Sequence, residues 1–130
     1  MTTSASPRHA VTASPNLRLQ VLLWAAHRIS AVVLAICVFV HLAVIIYAVR
    51  GGLTAAEILG RTSGSIAWAV FYGLFVAAAA IHAPLGMRTV LSEHFNWRGR
   101  SLGIVTVLIG IGLAFFGWRA VYAVVGAGPA

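Results

Sequence analysis

An all-α membrane protein of three transmembrane helices with a cytoplasmic N-terminus is the fold class that this 130-residue sequence predicts. Three observations predict it. The apolar runs Ile29 to Val49, Ile66 to Leu85 and Leu102 to Val125 each reach the ~20 residues that carry a helix across a hydrocarbon core of roughly 30 Å. The chain is 61% hydrophobic and only 8% charged, so once three spans are assigned no soluble catalytic domain fits in the remainder. The arginines are distributed unevenly about the runs. Six of them (Arg8, Arg18, Arg28, Arg88, Arg98 and Arg100) flank one side, against two (Arg50 and Arg61) on the other. The positive-inside rule therefore places the N-terminus and the second connection in the cytoplasm. Arg119, near the far end of the third run, can snorkel to the outer interface.

Residues 1–15 are mainly Ser, Thr, Ala and Pro, too polar to bury a face, and are expected to form a disordered tail. The first apolar run exceeds the roughly 7–15 residues of a signal-peptide core, so it reads as a span and not a cleaved leader. The acid-free, arginine-bearing start resembles an organellar transit peptide, which keeps a mitochondrial inner membrane as an alternative. The Ala/Gly/Val-rich composition favours a bacterial cytoplasmic membrane.

Pro15 and Asn16 can open an interfacial helix over residues 16–28, where Leu17, Val21 and Trp24 share a face and Trp24 sits at headgroup level. The first span follows over 29–49. The connection Arg50 to Ser65 is glycine-rich, with a short helix possible at Thr54 to Leu59. The second span covers 66–85 and the third 102–125. In the third, Gly103, Gly110 and Gly117 recur every seven residues. Such a stripe lets another helix of the bundle or of a partner approach closely, although glycine is also simply common in membrane helices.

The net charge of +7 does not indicate nucleic-acid binding, because the arginines are spread singly and not gathered on a soluble face. Two acids, Glu57 and Glu93, are too few for a carboxylate pair within one span. The single cysteine, Cys37, excludes a disulfide scaffold or a cysteine-rich metal site within one chain.

Two runs carry a histidine, His41 and His82, and an ionisable group at membrane depth is a functional-site hypothesis. Imidazole can ligate iron. On a helix His82, Gly86, Thr89 and Glu93 fall within about 40° of one another. Gly86 leaves room beside the imidazole for something flat. Pro84 should free the carbonyl of Ala80 and kink the helix there. Arg88 points toward the cytoplasmic interface, where a guanidinium can meet a carboxylate or propionate.

On the first helix His27, Ala31, Leu34, Val38 and His41 are expected to share a face, with Arg28 and Ser30 at its cytoplasmic end. Each of these residues also has a bland explanation. A membrane histidine can hydrogen-bond a backbone carbonyl, and Arg28 can be a topology charge with no further task. Counted from the cytoplasmic ends, His41 lies ~22 Å deep and His82 ~12 Å. The two ligands of a bis-histidine haem lie at nearly one depth. His41 and His82 of one chain are therefore not expected to share a haem, and each would need a histidine from another polypeptide.

His27-Arg28-Ile29-Ser30 resembles the His-Arg-x-Ser/Thr-Gly opening of the first helix in the membrane-anchor cytochrome b subunits of succinate dehydrogenase and fumarate reductase. His82-x-x-x-Gly86-x-Arg88 resembles their haem-ligand motif. The separation of the motifs and the three-span layout agree, so the resemblance covers nearly everything after the tail. There are departures. Ala31 stands where the family usually has Gly, Trp24 replaces a serine that lines the quinone pocket, and Glu93 occupies an aspartate position. The segment around Ile81-His82-Ala83 is also similar to the smaller hydrophobic partner subunit.

The resemblance implies haem b on His82, with Arg28 and Ser30 bordering the quinone or the haem propionates. His41 resembles a first-helix ligand of the two-haem branch and so is a candidate for a second haem. The quinone site is expected at the cytoplasmic end, among Arg28, Ser30, Arg88 and Glu93. The implied partners are the iron-sulfur and flavoprotein subunits, a second membrane anchor or second copy, and membrane lipid, with no nucleic acid. On this reading the chain alone is not an enzyme. The alternatives are a haem b anchor serving another quinone-linked dehydrogenase, and a small structural or transport protein without cofactor.

Overall fold

The structure, a computed structural model, describes residues 15–126. They form α1 (Pro15–Arg50), α2 (Ala55–Thr62), α3 (Ile66–His94) and α4 (Arg100–Val125), with no strand among the described residues. Helices α1, α3 and α4 are long and apolar enough to cross a membrane, as the three-span reading expects. The expected disordered tail, with Arg8, lies outside the described residues except for Pro15.

Pro15 starts α1, where its missing N–H costs nothing. From there to Arg50 the sequence holds no glycine and no second proline, so nothing interrupts the hydrogen-bond ladder. The expected interfacial segment 16–28 and the first span are thus one helix of 36 residues. At ~1.5 Å per residue it is about 54 Å long, well beyond the roughly 30 Å core.

The short helix expected from Thr54 is present as α2 and runs on to Thr62. It begins in a capping box. The backbone N–H and hydroxyl of Thr54 donate to Glu57 Oε2 at 2.7 and 2.8 Å, and the Glu57 N–H returns to Thr54 Oγ1 at 3.3 Å. The Thr54 backbone N–H first, then its hydroxyl, holds the Glu57 carboxyl below its ordinary pKa. At its other end α2 is tied to α4. Thr62 Oγ1 donates to the carbonyl of Val124 at 3.1 Å and the Gly64 N–H to that of Val125 at 2.8 Å. The α1–α3 connection and the end of α4 therefore lie at the same end of the bundle.

Helix α3 is central and packs against both α4 and α1. Its contact with α4 is set by glycine. A Cβ on Gly117 would lie 2.6 Å from Val76 Cγ1, and one on Gly110 would lie 3.3 Å from both the Ala80 carbonyl oxygen and Pro84 Cγ. Pro84 sits inside α3 without ending it. The carbonyl that its missing N–H leaves without an α-helical partner, Ala80, faces Gly110. Of the expected glycine stripe, Gly110 and Gly117 thus serve contacts within the chain, and Gly103 would meet nothing within 4 Å.

The α1 face differs from the expected one at a single position. Val38 is 49% exposed, while Cys37 at 3% and Ser30 at 5% are buried. Both spacings average 3.5 residues, and the seam that meets α3 runs through the smaller side chains Ser30 and Cys37, which permit closer approach. Away from the seams, Ile29, Ile36 and Phe39 on α1 and Phe116 and Trp118 on α4 are exposed. Helices apolar all round belong in lipid or against other membrane helices.

Candidate functional site

Where α1 passes α3, the imidazoles of His27 and His82 stack with ring centroids 4.4 Å apart and planes 8° from parallel. A small side chain makes room for this. A Cβ at Gly86 would meet His27 Cε1 at 3.4 Å, so the flat group that Gly86 accommodates within this chain is the His27 ring.

The tautomer of His82 follows from its partners. Nδ1 lies 3.3 Å from the carbonyl oxygen of His27 and 3.5 Å from Ser30 Oγ. Ser30 Oγ in turn donates to that same carbonyl at 2.9 Å. A carbonyl can only accept, so the proton of neutral His82 is assigned to Nδ1 and the lone pair to Nε2. Metal-ligating histidines have this arrangement, with one ring nitrogen held by a carbonyl and the other presented to the metal.

The donor set therefore suits one axial ligand of a haem. It does not suit both. His27 and His82 lie face to face, so their ring nitrogens do not point at a common ion between them. Among the described residues no three His, Cys, Asp or Glu side chains come together, so a metal here would need further ligands.

His41 lies apart from this pair, against the edges of Tyr72 and Phe75, each with its ring centroid 5.9 Å away. Those residues are seven and ten positions from His82 on α3, about 10–15 Å along the helix. The separation agrees with the expected difference in depth. The Nδ1 atoms of His41 and His27 are both buried without a hydrogen-bond partner.

Beside the histidine pair, α1, α3 and the start of α4 enclose a cleft of about 540 Å³. Leu23, Trp24, His27 and Leu85 form its apolar part; Arg88, Thr89, Ser92, Glu93 and Arg98 form its polar part. The Thr89 and Ser92 hydroxyl protons are spent on the carbonyls of Leu85 and Thr89, so within this polar part the guanidinium groups of Arg88 and Arg98 are the donors that can meet a guest.

The structure brings Arg88 and Glu93 together in this cleft. The other expected residues lie elsewhere. Ser30 is buried beneath His82. Arg28 does not line the cleft; its Cζ lies over the ring of Trp24, which does, 5.9 Å from the centroid. His27, Trp24 and Arg98 are among the wall residues that the sequence did not assign to the site. The signal available for His27 was the gap at Gly86, which requires a flat neighbour.

The family model for the succinate dehydrogenase/fumarate reductase transmembrane subunit matches residues 2–117. No curated protein and no solved structure matches the chain.

Proposed function

The chain belongs to the succinate dehydrogenase/fumarate reductase transmembrane subunit family, and we propose that it anchors such a complex, ligates haem b through His82 and forms part of the quinone site. The observation that carries the haem assignment is the tethering of His82 Nδ1 to the His27 carbonyl at 3.3 Å, which leaves Nε2 as the ligating nitrogen. Haem bound there would supply a one-electron carrier within reach of quinone and the iron-sulfur subunit.

The chain's own residues have three tasks. Ser30 and the His27 carbonyl hold His82. Arg88 and Arg98 offer charged donors to a quinone carbonyl, whose oxygen accepts more strongly as negative charge develops on reduction. Leu23, Trp24 and Leu85 hold the ring in an apolar wall and limit water. Glu93, exposed at the cleft edge, can pass protons from the cytoplasm or balance a neighbouring guanidinium. Partners are the other subunits of the complex. His41 is proposed as ligand of a second haem near the outer side, paired with a histidine of another chain.

The test is His82→Ala in the assembled complex. The b-type spectrum should be lost or strongly altered, while succinate oxidation by artificial acceptors in the soluble subunits persists. An unchanged spectrum removes the haem assignment.

A further inference from the structure

We infer that His27 is a positioning residue for His82, its imidazole acting as a flat plate that fixes the plane of the ligating ring. The inference rests on the haem assignment to His82 and goes beyond it by giving a role to a side chain that the proposed mechanism does not otherwise use.

An axial imidazole can rotate about its bond to iron unless something holds its plane. The carbonyl of His27 and the hydroxyl of Ser30 engage one nitrogen of His82. A single atom held by a pair of acceptors fixes the tautomer more firmly than it fixes the plane. The plane is set by what lies on the ring face. At 4.4 Å between centroids and 8° from parallel, the His27 ring covers one face of His82. The notch at Gly86 seats the plate itself, with 3.4 Å to a Cβ placed there.

The side chain and the backbone of His27 thus act on the same neighbour in two ways, and substitution separates them. Any replacement keeps the carbonyl, and only a flat one keeps the plate. Shape should therefore matter more than polarity at this position.

The experiment compares His27→Ala, His27→Leu and His27→Phe in the purified complex by electron paramagnetic resonance of the oxidised haem, whose principal g-values report ligand-plane orientation. His27→Ala and His27→Leu should shift or broaden the signal, and His27→Phe should restore it toward the parent. If His27→Ala does not assemble, the Leu and Phe variants carry the same comparison, since both fill space and only one is flat. A parent signal in the Ala or Leu variant, or a Phe signal as displaced as that of Leu, overturns the inference. Loss of haem in His82→Ala alongside an unchanged His27→Leu signal overturns the plate alone. A parent spectrum in His82→Ala overturns the ligand assignment beneath it.

Discussion

His27 on α1 and His82 on α3 lie face to face with their rings 4.4 Å apart, so on the proposed haem assignment the pair would supply one ligand and not two. A stacked pair offers iron one nitrogen, and His41, the other histidine at depth, lies against Tyr72 and Phe75 farther along α3. On that proposal the second ligand would come from another polypeptide. The exposed apolar faces of α1 and α4 leave room for such a neighbour.

Haem reconstituted on the isolated chain in detergent should consequently be high-spin, with one axial imidazole. In the assembled complex it should be low-spin with two. Optical spectra of the two preparations, with the His82→Ala chain as control, make the comparison. A low-spin spectrum from the isolated chain that persists in dilute, monomeric samples would contradict the single-ligand proposal.

Packing of α4 on α3 depends on the absence of a side chain at residue 117. A methyl there would lie 2.6 Å from Val76 Cγ1, so Gly117→Ala forces either helix or side chain to move, at a cost of about 1–3 kcal/mol. Thermal unfolding of the purified complex should report the loss. Val76→Ala in the same chain should recover most of it by returning the space. Independent, additive losses in the double variant would mean that the two residues do not meet.

Topology follows from the arginine bias together with the ties between α2 and α4. Gly64 and Val125 share a hydrogen bond of 2.8 Å, so reporters fused at Thr54 and after the last residue should give the same answer. If the arginine-rich ends face the cytoplasm, as the charge bias predicts, that answer is the side opposite the cytoplasm. Opposite reports from the two fusions would deny three spans. Two cytoplasmic reports would invert the assignment of depths.

A redox titration of the complex should resolve two b components if His41 ligates a second haem, and His41→Leu should remove one. A single component, unaffected by that change, would leave His41 as a histidine packed between aromatic edges.

The three spans could be read from the sequence because a bilayer imposes a length and an apolar requirement that few other structures meet. The capping box at Thr54 and Glu57 and the helix start at Pro15 are likewise local signals, set by neighbours in the chain. The pairing of His27 with His82 is not local. It depends on the register at which two helices pack, and on α1 that register passes through Ser30 and Cys37, where the expected stripe ran through Val38. A shift of one position changes which side chains meet α3 without altering the apolar pattern. For the same reason Ser30 could be placed beside the site by its motif, while its hydrogen bonds beneath His82 could not. Arg28 and Trp24, four residues apart, were predictable neighbours on a helix. That Trp24 and not Arg28 would line the cleft was not.

The cleft itself gives the most discriminating prediction, because it ranks arginines that the motif alone treats alike. Arg88 and Arg98 line the cavity, whereas Arg28 does not and lies against the Trp24 ring. A hydrogen bond to a charged group contributes about 1.5–3 kcal/mol. If that interaction strengthens as charge develops on the quinone oxygen, its loss slows reduction by roughly 10- to 100-fold at about 1.4 kcal/mol per decade. Arg88→Leu should show such a fall in quinone reduction, with dye reduction by the soluble subunits near the parent rate. Arg28→Leu should have a smaller effect, since Arg28 does not line the cavity and touches the Trp24 ring that does, and Trp24→Phe should reproduce part of it. The measurement is the ratio of quinone to dye activity for each assembled variant. An Arg28→Leu ratio below that of Arg88→Leu would move the quinone headgroup out of this cleft, toward Arg28.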